Sequence, residues 1–229
     1  MICFIPAAGF GTRMKELTSN TPKPLLKVSG KSLLEINLAF GYSLGAREFV
    51  INTHYLGNQI EEEVKKYKNC NIHISHETPE ILGTAGGIKT AINDLARDED
   101  YILIINPDAI FYPDNDFQIE LNNLNSEILL YLKEKSGEDG NTDLNFKQGN
   151  IFFEKGNYFY IGLSILKFGT LKEVPLNKYF DLSDIYRSLS KHNQLKGKIF
   201  SGEVVDLGDK EKYLQNKEIS LPGYTDIEL

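Results

Sequence analysis

Short apolar runs alternate with amphipathic segments through the first half of this chain, and that alternation restricts it to a small set of folds. Met1 to Ile5 (MICFI) is the first run, broken by Gly9 and Gly11. Lys31 to Leu44 carries Leu33, Leu34, Ile36, Leu38, Ala39 and Phe40 around one side, which is a helical period. Phe49 to Asn52 reads as the next strand, and Gln59 to Tyr67 as an amphipathic helix in which Glu61, Glu62 and Glu63 precede Lys65 and Lys66. Residues 71–76 (NIHISH) alternate like a strand, and Gly86 to Leu95 is helical. Tyr101 to Ile105 (YILII) is a continuous apolar run of the kind buried in parallel sheets. Strand and helix units in this order predict an α/β fold with a doubly wound, mostly parallel central sheet. Ligands of such sheets sit beyond the carboxyl ends of the strands, so residues 6–14, 77–87 and 106–111 are the loops expected to line a site.

The second half changes character. Residues 143–166 read as strand, turn and strand, with turns at Gly149 and Gly156. A helix is predicted at 182–191, strands near 195–200 and 203–206, and a short helix from Asp209. These elements suggest a smaller antiparallel extension. The tail after Ser220 contains Pro222 and Gly223 and is expected to be only partly ordered.

Composition removes several function classes. Of 229 residues, 41% are hydrophobic, with thirteen Phe and twelve Tyr, enough to fill a core, so disorder is excluded. The net charge of −7 argues against a general nucleic-acid or anionic-membrane surface, though not against a small phosphate-bearing substrate. Cys3 and Cys70 match neither a zinc spacing nor a redox pair and read as reduced core or near-core thiols. The start, MICFIPAAGF, has no basic opening and no long apolar run, and no later stretch is long enough to span a bilayer. The cytoplasm is therefore the expected location. His73 and His76 are spaced wrongly to share one face of a strand and are expected to be structural or exposed.

The most informative stretch is Ile5 to Leu26, IPAAGFGTRMKELTSNTPKPLL. Ala7 and Ala8 are small enough for the backbone to approach a flat base and a ribose. Gly9 and Gly11 permit the positive φ that turns successive amides toward one point, an anion nest, and Arg13 and Lys15 add charge beside it. Lys23 lies between Pro22 and Pro24, whose fixed φ stiffens the loop that aims it. The dinucleotide fingerprint is excluded because Met14 stands where its third glycine belongs. The P-loop is excluded because its Gly-Lys-Ser/Thr ending is missing.

AAGFGTRM followed by TPKPL resembles the signature of the sugar-1-phosphate nucleotidylyltransferases. INTHYLGNQIEEEV, LGTAGGI, NPDAIF and VVDLGD resemble four further segments of that family in the same order, so the likeness covers roughly residues 2–215. The short bacterial type is most similar, such as N-acetylmuramate-1-phosphate uridylyltransferases, with mannose- and heptose-1-phosphate guanylyltransferases close by. The β-helix acyltransferase domain of longer relatives is not expected in a chain of this length. The resemblance implies a three-layer, Rossmann-like nucleotide-diphospho-sugar transferase fold in one catalytic domain. Residues 1–112 would form its nucleotide-binding half, 113–216 its acceptor-binding half, and 217–229 a tail.

It also implies a reaction and a set of roles. An NTP and a sugar 1-phosphate would give a nucleotide sugar and pyrophosphate, as in nucleotide-sugar supply to the cell envelope. Asp108 and Asp206, each closing a strand, would hold Mg²⁺ as hard oxygen ligands. Arg13 would hold the β- and γ-phosphates and Lys23 the α-phosphate. Ala7, Ala8, Gly9, Gly11, Thr12 and Gly83 would contact the nucleotide, and Gly162 and Lys155 the sugar phosphate. Pro107 departs from the family pattern, which has glycine before the metal aspartate, and Glu16 departs where proline is common. Two alternatives stay open: a cytidylyltransferase acting on an alcohol phosphate such as phosphocholine, and a non-catalytic paralogue that binds nucleotide sugar. The sugar, the base and the oligomeric state have no signature in the sequence, and a homo-oligomer is compatible with it.

Overall fold

The computed structural model describes residues 1–119, 121, 124, 126–135 and 143–229. In chain order the elements are β1 (Ile2–Pro6), β2 (Lys27–Val28), β3 (Lys31–Ser32), α1 (Leu33–Ser43), β4 (Glu48–Thr53), α2 (Gly57–Val64), β5 (Asn71–His76), α3 (Gly83–Ile92), β6 (Tyr101–Ile105) and β7 (Ala109–Pro113). There follow β8 (Ile128–Glu134), β9 (Asn145–Lys147), β10 (Asn150–Phe152), β11 (Tyr158–Lys167), α4 (Leu182–Lys191), β12 (Lys196–Ile199), β13 (Gly202–Asp206) and α5 (Lys210–Asn216).

One nine-stranded sheet organises the chain, in the order β5-β4-β1-β6-β11-β8-β12-β10-β9. The first four strands run parallel, as the apolar runs predict. Beyond β6 the sheet continues without a break through β11, which is antiparallel to both β6 and β8. Side-chain alternation along these strands divides the interior into two cores. Cys3, Ile5, Phe49, Ile51, Leu103 and Ile105 face one side, where Leu34, Leu38 and Phe40 of α1 cover them. Ile2, Phe4, Val50, Ile102 and Ile104 face the other, under Ile88 and Ile92 of α3 and Leu182 and Tyr186 of α4. The result is helix, sheet, helix. Each fully buried aliphatic or aromatic side chain contributes roughly 2 kcal/mol to holding the layers together.

A third cluster matters for function. Met14, Leu26, Val28, Leu33, Ile36, Ile110, Leu207 and Tyr213 pack together, fastening the glycine-rich segment to α1, β7 and α5. Helix α1 starts where Ser32 Oγ accepts the amide of Glu35 at 3.0 Å, and α4 where Asp181 Oδ1 accepts that of Ser183 at 2.8 Å. Asp209 caps α5 by accepting the amide of Lys212 at 3.0 Å. Cys3 is fully buried, and burial pushes its thiol pKa well up; Cys70 is half-buried and shifts the same way. Both behave as the inert thiols the sequence suggested.

The tail differs from expectation. Pro222 and Gly223 signal a break, but the break only turns the chain back onto the domain. A 3-10 turn at Gly223–Asp226 lays Tyr224 against α1, its ring 5.3 Å from that of Phe40, and its hydroxyl donates to Phe111 O at 2.7 Å. A large aromatic with an apolar ring and a satisfied hydroxyl anchors the segment more strongly than the two turn residues loosen it. Tyr224→Ala is expected to cost about 3 kcal/mol, read as a lower denaturation midpoint with unchanged slope in urea.

Candidate functional site

The site forms where the parallel order reverses, between β1 and β6, outside the carboxyl ends of both strands. A cavity of about 370 Å³ opens there, lined by Pro6, Ala7, Ala8, Gly9, Gly11, Thr12, Arg13, Lys23, Asn52, Glu77, Gly83, Asn106, Pro107, Asp108 and Gly208 among others. All three loops selected from the strand pattern contribute to it. Gly11 is left-handed at φ +65°, and a Cβ on it would lie 3.0 Å from Thr18 Cγ2 and 3.2 Å from Lys23 Cβ. Glycine is therefore required for the close turn that starts the Thr12–Thr18 3-10 segment. Gly9 does not adopt positive φ among the described backbone, so its smallness rather than its handedness is what the loop uses.

The charged side chains converge on one corner. Lys23 Nζ donates to Asp108 Oδ2 at 2.8 Å and to Gly208 O at 3.1 Å, and its side chain is only 11% exposed. Arg13 lies 3.6 Å from the same Asp108 oxygen but is 71% exposed, free to meet a ligand. Asp206 is brought to this corner by register: β13 pairs antiparallel with β7, setting Asp206 opposite Ala109, and the Leu207 amide donates to Asp108 O at 2.8 Å. Asp206 Oδ1 accepts the Gly208 amide at 2.8 Å, while Oδ2 is paired with Lys212. That pairing raises the Lys212 pKa, and the Lys212 backbone amide lowers that of Asp209. Arg13, Lys23 and Asp108 thus line the cavity, and the cluster of Asp206, Asp209 and Lys212 adjoins it at Gly208.

Among the described residues no group of three or more His, Cys, Asp or Glu side chains is placed to hold a metal. Asp108 and Asp206 alone supply two hard anionic ligands. That number suits Mg²⁺, which keeps waters and takes phosphate oxygens for its remaining positions.

The cavity is also lined by Asn52, which the sequence reading did not select, and by Glu77, which it placed in a site loop without a role. Asn52 Oδ1 accepts the Ala7 amide at 2.8 Å, and Asn52 Nδ2 donates to Glu77 Oε1 at 2.7 Å. Glu77 Oε2 accepts the Leu82 amide at 2.7 Å, and Glu77 O meets His54 Nδ1 at 2.7 Å. This buried chain ties the glycine-rich loop to the LGTAGGI loop. Gly87 leaves room for it, since a Cβ there would fall 2.5 Å from Glu77 Oε1. The signal available in sequence was a polar Asn ending an otherwise apolar strand and a Glu just beyond the next one.

The amides of Ala85 and Gly86, at the start of α3, both donate to Phe180 O at 3.1 Å, and Phe180 N donates to Leu82 O at 2.8 Å. Two of the helix-start amides are thereby satisfied from within the protein. Gly162 sits at a bulge in β11 at φ +84°, with its carbonyl accepting the Asn106 amide at 2.8 Å. A Cβ there would press to 2.9 Å on Asn106 Cβ, so glycine fixes the approach of β11 to the cavity edge. Lys155 falls in the exposed turn before β11, outside the cavity lining. Pro107 is buried at the cavity wall, and Glu16 pairs with Lys210. His73 pairs with Glu48 at 3.0 Å and His76 with Glu61, so each has a carboxylate of its own and they form no joint site.

Residues 3–126 match the model of the nucleotidyl transferase family, more than half of the chain. The chain belongs to the nucleotidyl transferase family. It is 26% identical over 222 residues to the mannose-1-phosphate guanylyltransferase catalytic subunit beta of Drosophila melanogaster, covering 92% of this chain and 60% of that protein. It is 40% identical over 113 residues to the N-acetylmuramate alpha-1-phosphate uridylyltransferase of Neisseria meningitidis serogroup B, 48% of each chain. The chain thus spans less than two thirds of the length of these curated relatives. HddC from Yersinia pseudotuberculosis, solved with GMP-PN, superposes with a TM-score of 0.71 at 22% identity, covering 94% of this chain and 97% of that one. A UDP-glucose pyrophosphorylase solved with UDP-glucose superposes at 0.72 and 19% identity, covering 94% and 96%. These likenesses establish the Rossmann-like nucleotidyltransferase fold. No helix among the described residues is long and apolar enough to cross a membrane.

Asn52→Ala is expected to leave the Ala7 amide and one Glu77 oxygen unpaired inside the protein. The expected loss is about 2–4 kcal/mol of stability together with weakened nucleotide binding, measured by denaturant titration and calorimetry on the same sample.

Proposed function

We propose that this chain transfers a nucleotidyl group from an NTP to a sugar 1-phosphate, forming a nucleotide sugar and pyrophosphate. The observation that carries this reading is that Asp108, Arg13 and Lys23 line one cavity together with small residues, while the β7–β13 register sets Asp206 beside it, bonded to the Gly208 amide. The names of the mannose-1-phosphate and N-acetylmuramate 1-phosphate relatives favour a sugar phosphate over an alcohol phosphate as acceptor.

The base and ribose would lie against Ala7, Ala8, Gly9 and Gly83, where backbone rather than side chains makes the contact. Gly11 and Thr12 would bend the loop around the phosphates. Arg13, being exposed and mobile in reach, would bind the β- and γ-phosphates that depart as pyrophosphate. Lys23 would shift from balancing Asp108 to the α-phosphate as negative charge gathers there. Asp108 and Asp206 would hold Mg²⁺, which supplies charge neutralisation on the phosphates when bound. An oxygen of the sugar phosphate forms the new bond to the α-phosphorus, and the bond from that phosphorus to the bridging α–β oxygen breaks. The nucleophile is already anionic at neutral pH, so the site needs no general base.

Gly162 would set the sugar against the floor of the acceptor side. Lys155 is proposed to reach the sugar phosphate only if the turn before β11 folds inward. The substrates are anionic metabolites held inside cells, which makes the cytoplasm the proposed place of action and cell-envelope glycans a proposed use of the product.

Two measurements test the proposal. Pyrophosphate release should appear for at least one pairing of the four NTPs with a panel of sugar 1-phosphates in Mg²⁺; zero turnover across the panel would overturn the assignment. With the active pair, Asp108→Asn and Asp206→Asn should each lower kcat on the order of 10³-fold. Near-normal turnover in either variant removes that residue from the metal role.

A further inference from the structure

Asp206 has no free oxygen in this structure. Its Oδ1 is held by the Gly208 amide at 2.8 Å, and its Oδ2 by the ammonium of Lys212. A cation held by Asp206 and Asp108 would therefore compete with Lys212 for Oδ2. The lysine has somewhere to go. Asp209 Oδ2 lies 3.8 Å from Lys212 Nζ, and Asp209 is fixed as the cap of α5 by the Lys212 amide. The Lys212 side chain is 50% exposed, so a rotation between the two carboxylates meets no packed wall.

We propose that Lys212 is a built-in competitor for the metal face of Asp206, holding it while the site is empty and passing to Asp209 when a divalent cation arrives. The inference rests on the metal role given to Asp108 and Asp206 above. Arg13 and Lys23 already pair with Asp108, so Lys212 completes a charge balance in which neither carboxylate stands alone. A lone divalent ion then gains little by entering, because it must evict one cation and sit beside two others. An ion arriving with a triphosphate brings its own negative charge, which compensates those cations. Lys212 thereby favours joint entry of metal and nucleotide over entry of the metal alone. Lys212 is a positioning residue in this scheme and touches no reacting atom.

The test is the affinity of the nucleotide-free protein for Mn²⁺, read from the paramagnetic resonance signal of the free ion. Lys212→Met removes one unit charge from the ion's immediate surroundings and should tighten Mn²⁺ binding roughly tenfold. Lys212→Arg keeps the charge and should bind Mn²⁺ like the unaltered protein. Asp206→Asn should weaken binding in both the unaltered and the Lys212→Met backgrounds. With NTP present the advantage of Lys212→Met should shrink, because the triphosphate compensates the charge. Unchanged or weaker Mn²⁺ binding in Lys212→Met, with the Asp206 dependence intact, overturns the role of the lysine and leaves the metal site standing. Binding that ignores Asp206→Asn in every background overturns both.

Discussion

The short antiparallel ladder between β7 and β13 carries the arrangement of the site. Its register sets Asp206 opposite Ala109, and the amide of Leu207 reaches back to the carbonyl of Asp108. The backbones of two aspartates far apart in the chain are thus held as neighbours by main-chain bonds. A slip of one residue would turn Asp206 to the other face of the ladder. The third hydrophobic cluster guards against that slip, because Ile110 of β7 and Leu207 just beyond β13 are both buried in it. Lys23 bridges the same junction from the glycine-rich side, bonding Asp108 and the carbonyl of Gly208.

Much of this was legible in the sequence because it depends on local order. Helix 182–191 and strands 71–76 and 101–105 coincide with α4, β5 and β6, where period and length agree. The glycine-rich loop follows from residues adjacent in the chain, and Asp206 does end β13 as read, but Asp108 lies in the turn between β6 and β7 rather than closing the apolar strand, because Pro107 interrupts it. What escaped is non-local. Asn52 and Glu77 look like ordinary polar residues at strand ends, and only the crossover that puts β4 beside β5 makes them a buried pair. Residues 128–134 form a strand deep in the sheet, yet the run ILLYL fits a buried helix as well as a strand. The tail was misjudged because Pro222 and Gly223 dominate its local signal, whereas Tyr224 decides its position by a tertiary contact.

The electrostatics of the corner follow from its burial gradient. Lys23, almost enclosed, has a fixed partner in Asp108, whereas Arg13 and Lys212 are open to water. Pairs at that exposure contribute little to stability, so they can be exchanged for ligand contacts at small cost to the fold. The inner charges define the geometry, and the outer ones remain available.

The carbonyl of Phe180 accepts both amides at the start of α3. This makes the chain ahead of α4 part of the scaffold of the LGTAGGI loop, which lines the cavity through Gly83 and Thr84. Diversification is constrained accordingly. A lineage that remodelled residues 175–181 would also release two helix-start amides next to the cavity. Change in that segment is therefore tied to change in the LGTAGGI loop, and altering one alone requires a new cap for α3.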